Sequence, residues 1–258
     1  MIVLPMAGLS SRFFKAGYTE PKYKLLIEGQ PVFDYALRSF EGRFEVEPFL
    51  IVLRSDYDTE AFVRARLEAN GIAADLVVLD EPTQGQAETV TLGLERAQIP
   101  EATPLTIFNI DSFRPGFAMT EAEYAADGYL ETFLGAGDTW SFVAPDRADA
   151  REGTATRVIE KERISDLCCT GLYYFRSRRQ FQEAYAQELA VPSQPLKEHY
   201  IAPIYNQMIQ RGASVRFRTI DMQDVIFCGV PGEYVALQNN PTPIRRLQHQ
   251  NGRLTGSV

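Results

Sequence analysis

The chain has 258 residues, 45% of them apolar and 23% charged, which is the composition of a folded globular chain and excludes wholesale disorder. At about 150 residues per domain it holds one or two units. Lys and Arg number 26 against 34 Asp and Glu, a net charge of −8, so the basic footprint on which sequence-independent nucleic-acid binding rests is missing.

In chain order, Ile2–Pro5 reads as a buried first strand; its apolar run is short, ends in proline and has no basic leader, unlike a signal peptide. Phe49–Leu53, Leu76–Leu79 and Leu105–Ile110 are further strands. Val32–Phe40, Thr59–Asn70 and Ala87–Ala97 lie between them with apolar residues at helical spacing. Alternating strands and helices predict an α/β fold: a Rossmann-like mixed, mostly parallel sheet flanked by helices. The second half is strand-rich, with Tyr129–Phe133, Ser141–Ala144, Thr156–Ile159 and Gly171–Phe175, then helices at Arg178–Leu189 and Lys197–Arg211 and a late strand at Val215–Ile220. With no linker or repeat, one domain over residues 1–238 and a polar tail over 239–258 are expected.

No apolar run approaches the roughly 20 residues of a membrane helix, so no membrane partner is expected. Cys168, Cys169 and Cys228 form no Cys-x-x-Cys pair, and the histidines are His199 and His249. Neither structural zinc nor a disulfide framework is expected, and a reducing cytoplasm is the default compartment.

The segment after the first strand concentrates charge. From Gly8 to Lys24 stand Arg12, Lys15, Lys22 and Lys24 with one acid, Glu20, a local +3 in a chain of −8. A loop at the carboxyl end of a parallel strand is where open α/β sheets bind nucleotides. Gly8 lets the backbone approach a phosphate, Ser10 and Ser11 offer hydroxyls, and Arg12 adds a permanently charged fork. The loop is neither a Walker A nor a Gly-x-Gly-x-x-Gly sequence.

Gly8-Leu9-Ser10-Ser11-Arg12-Phe13, followed by Pro21-Lys22 and Gly29-Gln30-Pro31, resembles the signature of the sugar-phosphate nucleotidylyltransferases. The resemblance runs from residue 2 to about 237. It is strongest to the short, single-domain enzymes that activate precursors of capsule and other surface polysaccharides; the chain stops before the left-handed β-helix that longer members append. The implied fold is that of the nucleotide-diphospho-sugar transferases. The implied reaction moves a nucleoside monophosphate from an NTP, expected to be a pyrimidine nucleotide, onto a phosphorylated acceptor, expected to be a sugar 1-phosphate, with release of pyrophosphate.

Carried over residue by residue, the resemblance gives Ala7, Gly8, Leu9, Ser10, Ser11 and Arg12 to the NTP phosphates. Lys22 neutralises charge at the reacting centre, and Gln84 and Gly85 of Thr83-Gln84-Gly85-Gln86 serve the base. Asp111 of Asn109-Ile110-Asp111 holds Mg²⁺ against the phosphates. Glu160 and Lys161 take the acceptor's hydroxyls and phosphate, beside Thr170-Gly171. Arg12, Lys22 and Lys161 are the catalytic cations. His199 and Tyr200 fall near the acceptor side.

One position departs from the family. Its second metal carboxylate precedes a Gly-Thr-Pro turn, whereas here Cys228 precedes Gly229-Val230-Pro231. A neutral thiol is a poor magnesium ligand, so Asp111 works with phosphates and water, Asp221 or Asp224 substitutes, or transfer is lost. The rival functions are a CTP-dependent enzyme acting on a phosphorylated non-sugar, an inactive nucleotide-binding protein, and a glycosyltransferase, whose Asp-x-Asp motif Asn109-Ile110-Asp111 supplies only by half. The base, the acceptor and any homo-oligomer are left open.

Overall fold

A computed structural model describes residues 1–246. The chain opens with β1 (Ile2–Pro5), the short α1 (Ser11–Lys15), a hairpin of β2 (Leu26–Ile27) and β3 (Gln30–Pro31), and α2 (Val32–Arg38). Then come β4 (Phe49–Arg54), α3 (Thr59–Asn70), β5 (Ala74–Leu79), α4 (Gln86–Arg96), β6 (Leu105–Phe108), β7 (Ser112–Phe113) and α5 (Glu121–Ala125). The second half is β8 (Gly128–Leu134), β9 (Ser141–Pro145), β10 (Glu152–Glu160), β11 (Leu167–Phe175), α6 (Arg178–Ala190), α7 (Ile204–Gln210), β12 (Val215–Ile220), β13 (Ile226–Phe227) and α8 (Pro231–Asn239).

Nine strands form one mixed sheet in the order β5-β4-β1-β6-β11-β8-β12-β10-β9. β1 pairs in parallel with β4 and β6, and β4 with β5. From β11 onward the pairing is antiparallel except for β12 with β8. The mostly parallel sheet read from the sequence is therefore confined to four strands. An added pairing of Cys168 in β11 with Phe142 in β9 closes the strand-rich half into a small barrel. Pattern alone misses this, because a buried antiparallel strand and a buried parallel strand both read as apolar runs.

Apolar residues cover both faces of the parallel half. Phe33, Phe40, Phe49, Ile51 and Phe108 build one side, while Leu50, Val52, Val90, Leu94 and Ile107 build the other. α4 lies close on the second side, since a Cβ on Gly93 would overlap Val52 Cγ2.

The helix expected over Lys197–Arg211 begins only at Ile204, behind Pro203. Proline is pre-set for a helix start, and the preceding stretch spends its backbone elsewhere: His199 N donates to Gln84 O at 3.0 Å and His199 O accepts from Ala87 N at 2.9 Å. β6 also ends at Phe108 rather than Ile110: Asn109 N still reaches Gly171 O of the partner strand β11 at 3.1 Å, and the positive φ of Gly171 (+93°) breaks the regular pairing there.

The C-terminal tail expected from residue 239 lies mostly outside the described residues, His249 with it. Within them Ile244 is buried and Arg245 pairs with Glu28 at 2.9 Å.

Candidate active site

The strand order reverses at β1: β4 and β5 lie on one side of it and β6 on the other. Loops leaving the carboxyl ends of β1 and β6 therefore diverge and leave a crevice between them. The Gly8 loop follows β1 and Asp111 follows β6, which puts the two charged segments on opposite banks of that crevice.

On the first bank Ser10 takes a left-handed backbone (φ 50°) ahead of α1, and its Oγ accepts from Lys22 N at 3.2 Å. A non-glycine residue there is uncommon and needs its surroundings to hold it; this hydrogen bond ties the loop to the Pro21-Lys22 turn. Ala7 is buried, Gly8 and Leu9 are exposed, and a Cβ on Gly8 would meet nothing within 4 Å. Ser11 and Arg12 are also exposed, and the Arg12 guanidinium has no partner among the described residues. Lys22 Nζ reaches across the crevice to Asp111 Oδ2 at 2.5 Å, both side chains about four-fifths buried. Lys24, in contrast, is turned to Tyr57 O and Glu20.

On the second bank Asn109 joins three segments. Gln86 Nε2 at the start of α4 donates to Asn109 Oδ1 at 2.5 Å. Asn109 N donates to Gly171 O, and a Cβ on Gly171 (φ +93°) would stand 2.5 Å from Asn109 Nδ2. Gly171 thus has to be glycine for both its backbone angle and the amide lying over it. Gly85 is similar: the space of its missing Cβ is filled by the His199 backbone at 2.5–2.6 Å. Its glycine requirement comes from within the protein. Gln84 is exposed beside it.

Lys161, just past β10, is also left-handed (φ 56°). Its Nζ sits 4.2 Å from the Tyr200 ring centroid, bonds the Tyr200 hydroxyl and lies 3.7 Å from Glu160. Glu160 is buried and takes a hydrogen bond from Ser141; burial raises its pKa, which the Ser141 bond and Lys161 oppose. His199 lies beyond, its Nδ1 2.7 Å from the Tyr185 hydroxyl. Thr170 does not face the crevice. It is 1% exposed, and its Oγ1 donates to buried Glu131 at 3.3 Å. The backbone bond from His199 N to Gln84 O and the side-chain bonds of Gln86 with Asn109 and Lys161 with Tyr200 link Gln84 and Lys161 to the segments around them.

A divalent ion entering the crevice would meet few hard ligands beside Asp111. Cys228 is fully buried; burial, with Asp111 nearby, pushes its thiol up to about 12, so it is neutral. Cys228 N donates to Asp111 O at 2.8 Å, which places the thiol's residue beside Asp111 without adding an anion. The nearest further carboxylate, Glu233, spends one oxygen on Gly229 N (2.8 Å) and Val230 N (3.2 Å) at the start of α8. No group of three His, Cys, Asp or Glu gathers to hold a metal among the described residues. One carboxylate fits magnesium that keeps its water and is held chiefly by substrate phosphates. It does not fit a metal caged by protein.

Sequence reasoning missed Arg54. Arg54 ends β4, pairs with Asp56 at 2.7 Å, and leaves Nε and Nη1 buried without a partner. It lines a cavity of about 220 Å³ with Gly8, Leu9, Ser11 and Tyr57, under the first loop. A basic residue closing a strand adjacent to β1 was the available signal. Tyr200, expected near the acceptor side, is the residue that holds Lys161.

No family model matches the sequence, and neither does any curated protein. Among solved structures, the chain is similar to a nucleoside-diphosphate-sugar pyrophosphorylase from Vibrio cholerae RC9, at 46% identity over 93% of this chain and 100% of that one, with TM-score 0.88. A UDP-glucose pyrophosphorylase complexed with UDP-glucose shares 15% identity over 92% of this chain and 96% of that one, TM-score 0.70. An inositol-1-phosphate CTP transferase from T. maritima shares 16% over 97% and 94%, TM-score 0.69. The last two bear on the fold alone.

Proposed function

The chain belongs to the nucleoside-diphosphate-sugar pyrophosphorylase family of nucleotidyltransferases, and from that membership we propose that it transfers a nucleoside monophosphate from a pyrimidine NTP to a sugar 1-phosphate. Pyrophosphate leaves, and the product is an activated precursor for capsular or other surface polysaccharide made in the cytoplasm. The observation that carries this reading is the Lys22–Asp111 pair spanning the crevice between β1 and β6. It joins a fixed cation to a carboxylate at the place where a polyanion and its divalent counterion would lie.

The chemistry needs no protein nucleophile. An acceptor phosphate oxygen, already an anion, bonds to the α-phosphorus as the bridging oxygen between the α and β phosphates departs with the electron pair on pyrophosphate. Negative charge grows on the leaving group and on the nonbridging oxygens, and fixed cations stabilise it without reorganising. Lys22 leaves Asp111 for a phosphate oxygen when substrate enters. Arg12, free at the loop's rim, takes the outer phosphates, and backbone amides from Gly8 to Ser11 position them. Lys161, held by Tyr200, meets the acceptor phosphate beside Glu160. Magnesium, when bound to the triphosphate and Asp111, would supply charge neutralisation. Gln84 stands at the base side, with its amide uncommitted.

The test is pyrophosphate release in magnesium with CTP, UTP, dTTP, ATP and GTP, each against glucose 1-phosphate, other sugar 1-phosphates and phosphocholine. One pyrimidine NTP with one sugar phosphate is the expected pair. Release with phosphocholine alone would replace the sugar by a non-sugar acceptor. NTP binding with no release in any combination would refute transfer.

A further inference from the structure

Asn109 stands two residues before Asp111, just past β6 and opposite Gly171 of β11, where the Gln86 segment meets them. Its Oδ1 is taken by Gln86 Nε2 at 2.5 Å, which fixes the carboxamide's rotation about its last bond. The carboxamide itself fills the space left by the missing Cβ of Gly171, with Nδ2 2.5 Å and Cγ 2.7 Å from where that Cβ would stand. Among the described residues Nδ2 has no hydrogen-bond acceptor, and the side chain is half-buried. The amide is thus held by Gln86 on one side and seated on Gly171 on the other, which leaves a positioned donor uncommitted within the protein at the crevice.

We propose that Asn109 is a substrate-contacting residue whose Nδ2 donates to a phosphate oxygen at the point where the nucleotide and the phosphorylated acceptor meet. The inference rests on the transferase reading above. The ligand class follows from charge. A carboxylate at 109 would face incoming phosphates as a second anion beside Asp111, whose own charge already pairs with Lys22. A neutral donor instead removes one unit of repulsion and adds a charge-assisted hydrogen bond. The oxygen belongs either to the α-phosphate or to the acceptor phosphate.

Two variants separate the donor from its alternatives. Asn109→Asp keeps an acceptor for Gln86 Nε2 and the shape of the side chain but loses the donor. Asn109→Ala loses the donor and the Gln86 bond without adding charge. Binding of the Mg²⁺ complexes of CTP, UTP and dTTP is measured by calorimetry, and kcat and KM for the acceptor by pyrophosphate release, with melting temperature as the folding control. Both variants are expected to lose about tenfold to hundredfold, the effect of one hydrogen bond to a charged group. Loss in NTP affinity assigns the contact to the α-phosphate; unchanged NTP affinity with reduced kcat/KM for the acceptor assigns it to the acceptor. Loss in Asn109→Ala alone would reduce Asn109 to a prop for Gln86, loss in Asn109→Asp alone would reduce the effect to added charge, and no loss in either would remove the role; each outcome overturns the proposal. A wild-type protein that neither binds NTP nor releases pyrophosphate overturns the transferase reading, and this inference with it.

Discussion

At the scale of single residues, the Lys22–Asp111 pair is better explained by what it awaits than by what it stabilises. A pair at the mouth of a crevice, still reached by water on both sides, contributes of order 1 kcal/mol or less to folding. Either group should therefore be removable without unfolding the chain, while transition-state charge loses a fixed partner worth about 10²–10³ in rate. Lys22→Ala and Asp111→Ala are each expected to lower kcat by at least about a hundredfold with the melting temperature nearly unchanged, as seen by a turnover assay beside a thermal melt. Wild-type turnover in either variant would remove that residue from the chemistry. The strained backbones at Ser10 and Lys161 fit the same logic. Both are left-handed, and both are fixed by a side-chain hydrogen bond to a segment distant in sequence.

Elements carry these residues, and α4 shows how tightly. Its Gly93 lets the helix lie against Val52 of β4, and its first residues hold Gln86 toward Asn109 and Ala87 against His199. Gly93→Ala gains up to about 1 kcal/mol of helix propensity. Its methyl, however, meets a β-branched side chain locked in a central strand, and overpacking costs about 1–3 kcal/mol. The single variant should melt several degrees lower, and Gly93→Ala with Val52→Ala should recover part of the loss, because the second change makes room for the methyl. Additive melting shifts in the pair would mean that the contact is not what sets the spacing. β11 plays a different part: all nine of its residues are buried, and it pairs with β6, β8 and β9. Its register shift between Cys169 and Tyr173 surrounds Gly171. The irregularity in the strand is where Asn109 comes in.

For the molecule as a whole, the seam between the parallel strands and the barrel holds a buried ion pair. Arg114 Nε lies 2.9 Å from Glu131 Oε1, with Glu131 fully buried and also bonded by Thr170. Burial raises the Glu131 pKa and Arg114 opposes it. Arg114→Met would leave the carboxyl without its counterion, a change that costs about 3–5 kcal/mol for buried pairs. The variant's folded state would hold a proton that the unfolded chain releases, so its loss of stability relative to the wild type is smallest in acid and grows as pH rises through the ordinary carboxylate range toward the raised folded value. Chemical denaturation of variant and wild type at pH 4.5 and pH 7.5 checks the sign: a smaller loss at the higher pH would contradict it. Since Arg114 follows β7 while Glu131 and Thr170 lie in the barrel, this cluster ties the crevice's second bank to the barrel.

Local chemistry was enough to read Ile2–Pro5, Thr59–Asn70 and Val215–Ile220 to the residue, because their apolar spacing and flanking breakers act within a few positions. It was also enough to single out the basic loop, since charge density is a property of neighbours in sequence. Closure of the barrel through Cys168 and Phe142, the turning of Thr170 away from the crevice, the meeting of Gly85 with His199 and the orientation of Asn109 all depend on partners dozens of residues away. Those partners are selected by which surfaces can be packed and which buried polar groups satisfied at once. That is a condition on the assembled molecule, so only the tertiary structure decides it.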